Sequence, residues 1–320
     1  MFISDFYNGK WQDFRIEAYD MLSFTPGSAI LHYGQSVFEG LKAYKNPSGD
    51  VVVFRPEMNF RRLNQSAVRM CIPEVTEEMF MEGLTELLRL DKNWVPDLPN
   101  TSLYIRPYIF ALDEYIGIRP SDNYKFIIFT CPVGAYYSKP LKVKIETKFS
   151  RAVQGGTGFA KAAGNYAGSL YPAKLAQQKG YDQLIWTDGV SHRYIEEAGT
   201  MNIMFMNGNK LLTASTGDTV LSGITRDSVL TIAREWGIDV EERNISVTEI
   251  ISSLKNGEIT EAFGTGTAAT IAPIELIADD ENDYQIPVPG PESFSTKVCE
   301  ELDSIKTGKK KDTHGWIYTV

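Results

Sequence analysis

The connection Pro132-Val133-Gly134-Ala135-Tyr136-Tyr137-Ser138-Lys139-Pro140 constrains this 320-residue chain more than any other stretch. Its prolines, glycine and paired tyrosines disfavour regular structure, since proline lacks the backbone N–H. The segment reads as an interdomain linker or lid. It sets a first domain at residues 1–132, a linker at 133–140 and a second domain at 141–320. Two domains also suit the length, and 43% hydrophobic residues suffice for two cores.

The first part alternates short strands with two helices. Asn8-Gly9 is a hairpin signal. Ala29 to Tyr44 reads as a turn, an irregular stretch holding Tyr33, Phe38 and Glu39, then a strand. Pro56 opens a helix whose apolar face is Met58, Leu63, Ala67 and Met70, with Arg61, Arg62 and Arg69 as polar interruptions. Thr76 caps a second helix reaching about Leu90. In the strand Leu103 to Phe110, alternation puts Tyr104, Arg106 and Tyr108 on one face.

The second part carries most of the candidate chemistry. Gly155-Gly156-Thr157-Gly158-Phe159-Ala160-Lys161-Ala162-Ala163-Gly164-Asn165-Tyr166 surrounds one lysine with small residues. Glycine lets a flat ligand come close, and a desolvated lysine amine forms Schiff bases with aldehyde cofactors. On a loop of this kind a solvated lysine is the commoner case, so the rest of the chain decides. Asn165 to Lys179 reads as a helix with Pro172 in or near its start, Tyr194 to Met206 as one long strand, and Thr248 as the cap of a short helix. Asp279 to Glu292 reads as an exposed loop and Ser295 to Ile305 as a terminal helix.

Two places suit an anion. At Leu221-Ser222-Gly223-Ile224-Thr225 a glycine precedes a helix start, so the N–H groups of Ile224 and Thr225 lie at the positive end of its dipole. At Gly264-Thr265-Gly266-Thr267-Ala268-Ala269 a strand enters a turn and leaves as a possible second helix start. A phosphate cradle together with a reactive lysine points to pyridoxal 5'-phosphate. That cofactor also needs a carboxylate at its pyridine nitrogen. Glu196 and Glu197 are the candidates, and strand alternation turns only one of them to the ring.

The segments HYGQSVFEG, FRPEMNFRRLNQSA, YIRP, KAAGNY, EEAGTMN, LSGITRDS and FGTGTAA, in this order and spacing, resemble the branched-chain amino acid aminotransferases. The resemblance runs from about Tyr33 to the terminal helix. It implies an α/β (α+β) two-domain architecture of fold type IV, the D-amino acid aminotransferase-like fold, with the cofactor between the domains. It further implies that Lys161 forms the Schiff base and shuttles the proton, that Tyr166 bonds the cofactor's phenolic oxygen, and that Glu197 pairs with the ring nitrogen. Arg62, the N–H groups of Ile224 and Thr225, and Thr267 would hold the phosphate. Tyr33, Phe38, Tyr104 and Arg106 would line the substrate pocket, with Thr200, Ala268 and Ala269 near the substrate carboxylate. The implied reaction is ping-pong transamination of leucine, isoleucine or valine with 2-oxoglutarate, by at least a homodimer. D-amino acid aminotransferases and aminodeoxychorismate lyases share the fold and are the alternative. The thiol pair of mammalian-type members is replaced here by Ala269-Thr270-Ile271-Ala272.

Composition excludes other classes. A net charge of -9, from 32 basic and 41 acidic residues, is poor for binding nucleic acid. Three scattered cysteines, Cys71, Cys131 and Cys299, fit neither a disulfide framework nor a zinc site. No apolar run approaches the roughly 18 residues of a membrane span, and the N-terminus lacks a signal-peptide layout. A cytoplasmic enzyme is expected.

Overall fold

The computed structural model describes residues 1–320 and divides into two compact units. The first comprises Met1–Ala135, Ala160–Gly164 and Ser304–Val320; the second comprises Tyr136–Phe159 and Asn165–Asp303. The lysine segment and the C-terminus therefore belong to the first unit, whereas the linker position alone assigned both to the second domain. The reason is backbone pairing, since Val37 bridges Ala162 and Tyr318 pairs with Val53.

In chain order the elements are β1 (Phe2–Tyr7), β2 (Lys10–Ile16), α1 (Ala29–Tyr33), β3 (Ser36–Phe38), β4 (Leu41–Lys45), β5 (Val51–Phe54), α2 (Pro56–Arg69), α3 (Glu77–Asp91), β6 (Ser102–Ala111) and β7 (Tyr124–Val133). There follow β8 (Leu141–Ile145), α4 (Ala163–Gln178), β9 (Gln183–Thr187), β10 (Tyr194–Ala198), β11 (Met201–Asn207), β12 (Lys210–Thr213), α5 (Ile224–Glu235), β13 (Asp239–Glu242) and β14 (Ile245–Ser246). The chain ends with α6 (Val247–Lys255), β15 (Ile259–Gly266), β16 (Thr270–Ala278), β17 (Asp283–Gln285), α7 (Phe294–Lys306) and β18 (Ile317–Thr319).

The first unit is one eight-stranded sheet, ordered β18-β5-β4-β6-β7-β1-β2 with β3 also on β6. Leu63 and Ala67 of α2 and Phe80, Leu84 and Leu88 of α3 are buried in one cluster with Leu103, Ile105 and Ile109 of β6. The alternation on β6 is as read from sequence: these three are buried, while Tyr104, Arg106 and Tyr108 are half-buried on the other face. Burying each such aliphatic side chain stabilises the fold by about 1.5–3 kcal/mol.

The second unit holds a ten-stranded sheet, ordered β13-β12-β11-β15-β16-β8-β9-β10-β14 with β17 also on β16. An additional pairing of β10 with β11 joins two strands of that order, so β11-β15-β16-β8-β9-β10 close into a ring without free edges. Ile145, Ile185, Ala198, Ile203 and Ile274 are buried in its core.

The structure corrects several sequence expectations. Tyr194 to Met206 is two antiparallel strands rather than one, because the chain reverses at Gly199-Thr200 and Glu197 pairs with Asn202. The Gly264–Ala269 segment leaves as β16 and not as a helix, with Gly266 opposite Thr270 in a hairpin. The cap of α6 is Ser246 and not Thr248; the Ser246 hydroxyl accepts from the Glu249 N–H and so starts the helix two residues earlier. Residues 279–292 are not all exposed loop, since β17 pairs with β16 and buries Tyr284. Ala29 to Tyr33 is a short helix, and Pro172 lies inside α4. No helix is long and apolar enough to cross a membrane.

Candidate active site

The first unit assembles its functional side chains around Glu39. On α2, Asn59, Arg62 and Ser66 recur at helical spacing and form a buried polar stripe. Arg62 Nε and Nη2 donate to the two oxygens of Glu39 at 2.7 and 2.9 Å, and Asn59 Nδ2 donates to Glu39 at 2.7 Å. The Gly40 N–H adds a fourth donor at 3.1 Å. Glu39 is fully buried and Arg62 is 7% exposed, so Arg62 is not the solvated interruption that its neighbours suggested. Burial alone would push the Glu39 carboxyl up. The Arg62 charge and hydrogen bonds, with help from Lys161 and Asn59, outweigh it and hold the carboxyl below its ordinary value.

Ser66 continues the stripe to the lysine. Its hydroxyl donates to the Arg62 carbonyl and accepts from the Lys161 N–H at 2.9 Å. The Phe38 N–H donates to the Lys161 carbonyl at 3.0 Å. Lys161 is thus pinned by its backbone on both sides, and its amine lies 4.9 Å from the Phe38 ring centroid. The Arg106 guanidinium lies over the same ring at 4.5 Å and donates to the Tyr104 hydroxyl at 2.8 Å. Gly40 makes that arrangement possible, because a Cβ there would stand 2.4 Å from the Tyr104 hydroxyl. Arg106 Nε is buried without a hydrogen-bond partner. Tyr33, at the end of α1, is exposed and is not drawn into this cluster.

The second unit builds around Glu197. The β10–β11 hairpin sets Asn202 beside it, and Asn202 Nδ2 donates to Glu197 Oε1 at 3.3 Å and to the Leu221 carbonyl at 2.9 Å. The Leu221 N–H donates to the same Oε1 at 2.8 Å. Arg151 Nη2 stands 3.1 Å from Glu197 Oε2 and also donates to the Thr219 carbonyl. Residues 219–223 therefore lead from Glu197 directly to the N-terminus of α5. Gly223 caps that helix without any side-chain hydrogen bond, and a Cβ there would stand 1.9 Å from Asn202 Oδ1. The N–H groups of the buried Ile224 and Thr225 open the helix.

Glu196, the second glutamate, is buried and keeps Oε2 without a partner; burial holds its carboxyl above the ordinary value, against the opposing pull of Thr219 and the Arg151 charge. Thr267, Ala268 and Ala269 are half-buried in the β15–β16 turn, and Thr200 is exposed in the β10–β11 turn. Tyr166 is half-buried near the start of α4, next to Asn165, which exchanges two 2.7 Å hydrogen bonds with Thr157. Sequence reasoning missed Glu39 and Arg151 as site residues. Glu39 stood in view beside Phe38, but nothing in a single chain reveals that Arg62 reaches it.

Comparison with known proteins identifies the family. Residues 36–277 match the model of the amino-transferase class IV family. The chain is 45% identical to branched-chain-amino-acid aminotransferase 2 of Bacillus subtilis, over 100% of this chain and 89% of that protein. Its fold matches a branched-chain aminotransferase of Thermoproteus uzoniensis solved with norvaline, at 27% identity and TM-score 0.79, covering 100% of this chain and 99% of that one. It also matches the branched-chain amino acid aminotransferase of Escherichia coli, at 28% identity and TM-score 0.78, covering 98% of both chains. With the family model matching residues 36–277 and a relative 45% identical over the whole chain, the chain belongs to the class IV aminotransferases.

Proposed function

We infer that this chain is a branched-chain L-amino acid aminotransferase that uses pyridoxal 5'-phosphate to pass the amino group of leucine, isoleucine or valine to 2-oxoglutarate. One observation carries the reading: the Lys161 amine and the Arg106 guanidinium both lie over the Phe38 ring, at 4.9 and 4.5 Å. A nucleophile, an apolar wall and a carboxylate-binding fork are thus neighbours. A branched aliphatic side chain needs the wall. Glutamate needs the fork as well, and the unpartnered Arg106 Nε is a donor suited to it.

The residues fit the cofactor. The start of α5 offers N–H groups at Ile224 and Thr225 to a phosphate. Glu197 is a buried carboxylate held by Leu221, Asn202 and Arg151, suited to a ring nitrogen. Bound pyridoxal 5'-phosphate supplies an aldehyde and an electron sink. Lys161 Nζ takes the proton from the substrate Cα and returns it in the second half-reaction. Glu197 would keep a proton at the ring nitrogen, Tyr166 would hydrogen-bond the phenolic oxygen, and Arg62, Thr267 and the helix start would hold the phosphate. Phe38 and Tyr104 exclude water from the substrate side chain, with Tyr33 at the rim, while Arg106 orients the glutamate carboxylate. Thr200, Ala268 and Ala269 contact the α-carboxylate.

In this reading the first unit is the small domain and the second the cofactor-anchoring domain. The enzyme is cytoplasmic, in keeping with three cysteines that form no disulfide, and works as a homodimer or larger. Exposed Leu31 and Ile116, on segments joined by the Ser28–Glu114 bridge, support a partner of the same kind. The visible spectrum of the holoenzyme tests the assignment. L-Leucine should shift the cofactor band and 2-oxoglutarate should restore it. A band that responds to D-alanine and ignores L-leucine would sink the proposal.

A further inference from the structure

In the reading above Arg151 only helps to hold Glu197, yet it is a cation ion-paired with the carboxylate on which that reading depends. Its side chain is 9% exposed and that of Glu197 5%. Two acidic residues are buried side by side here, Glu196 and Glu197. Arg151 acts on both, through the 3.1 Å contact with Glu197 and through its charge on Glu196. Two buried carboxyls without a cation would tend to take up a proton, because burial and mutual repulsion both favour the neutral form.

We propose that Arg151 is a positioning residue that keeps Glu197 ionised, so that the proton shared with the cofactor's ring nitrogen stays on the nitrogen. This rests on the function inferred above. A proton shared by a carboxylate and a pyridine goes to the more basic partner. A guanidinium 3.1 Å from the carboxylate lowers the basicity of that oxygen more than that of a ring atom farther away. Arg151 also fixes direction: its second bond, to the Thr219 carbonyl, ties the guanidinium to the segment that carries the Leu221 N–H to Glu197. Glu196, buried beside Glu197, supplies the opposing pressure that makes the cation necessary.

The test is nitrogen NMR of holoenzyme reconstituted with pyridoxal 5'-phosphate labelled with ¹⁵N in the ring. The wild type should show the shift of a protonated pyridine. In R151Q the shift should move toward the unprotonated value, and the half-reaction with L-leucine should slow by about 10–100-fold, as is common when a supporting partner is lost. Thermal melting of the cofactor-free protein reports whether the variant folds. A folded R151Q with the wild-type ¹⁵N shift overturns the proposal. If R151Q does not fold, R151M, which is neutral and of similar length, decides: a shift displaced toward the unprotonated value supports the proposal, and a wild-type shift overturns it. A wild-type protein that takes up no cofactor would refute the inferred function instead, which separates the two failures.

Discussion

Each unit buries an arginine against a glutamate, but in opposite senses. In the first, Glu39 meets Arg62 fork to fork and is also bonded by Asn59 and Gly40. The carboxylate is enclosed, and the guanidinium is the group being aimed. In the second, Arg151 touches Glu197 through one nitrogen at 3.1 Å, beside donors from a strand and a loop. There the carboxylate is the group being aimed. A bidentate pair fixes an arginine for an anion, whereas a single contact tunes a carboxylate and leaves its direction to neighbouring backbone.

The largest expected effect leaves both pairs intact. Lys161→Ala should reduce turnover of L-leucine by roughly four orders of magnitude or more, as expected when a covalent nucleophile is removed; a steady-state assay decides, and retained turnover would refute the enzyme reading. Next, Glu39→Ala strands a buried guanidinium. It should cost about 3–5 kcal/mol in urea unfolding of the cofactor-free protein, and a loss under about 1 kcal/mol would show that the first pair is not closed as described. Glu197→Gln should do the reverse, lowering kcat by roughly 100-fold or more with a smaller change in the urea midpoint than Glu39→Ala. If the two variants behaved alike, the contrast would fail.

Arg106→Lys should lower kcat/KM for 2-oxoglutarate by about tenfold, since lysine loses the planar fork, and should change that for L-leucine less. The smallest effect is acid sensitivity. Glu39 has a lowered folded pKa, so its contribution is complete above the ordinary value of 4.5 and is lost as pH falls through the lowered one. The difference in melting temperature between wild type and Glu39→Gln should therefore narrow below pH 4.5 and stay level above it. A difference that widened on acidification would contradict the assigned sign.

Much of the site was legible. Gly223 before a helix, the two adjacent glutamates and the β6 alternation all follow from local rules that a chain carries with it. What failed was the direction of the chain after a turn. Gly199-Thr200 and Thr267–Ala269 reverse strands, while the surrounding residues are compatible with continuation; the choice falls to pairing partners far away, such as Thr265 for Asn202. The apolar face of α2 drew the reading to Leu63 and Ala67, and its polar stripe was hidden because Asn59, Arg62 and Ser66 count as solvent residues until a buried partner is known.

The sequence by itself determined the family, the lysine, the helix start that suits a phosphate, and the periodicities that place strands and helices, because each depends on residues close together in the chain. The tertiary structure alone decided that the lysine loop belongs with the first unit, that Arg62 helps to enclose Glu39, and that Arg151 stands against Glu197. Those facts depend on residues far apart in the chain: 23 positions separate Arg62 from Glu39, and 95 separate Lys161 from Ser66. A charge buried at one end of such a contact is costly until the other end arrives, and only folding supplies that other end.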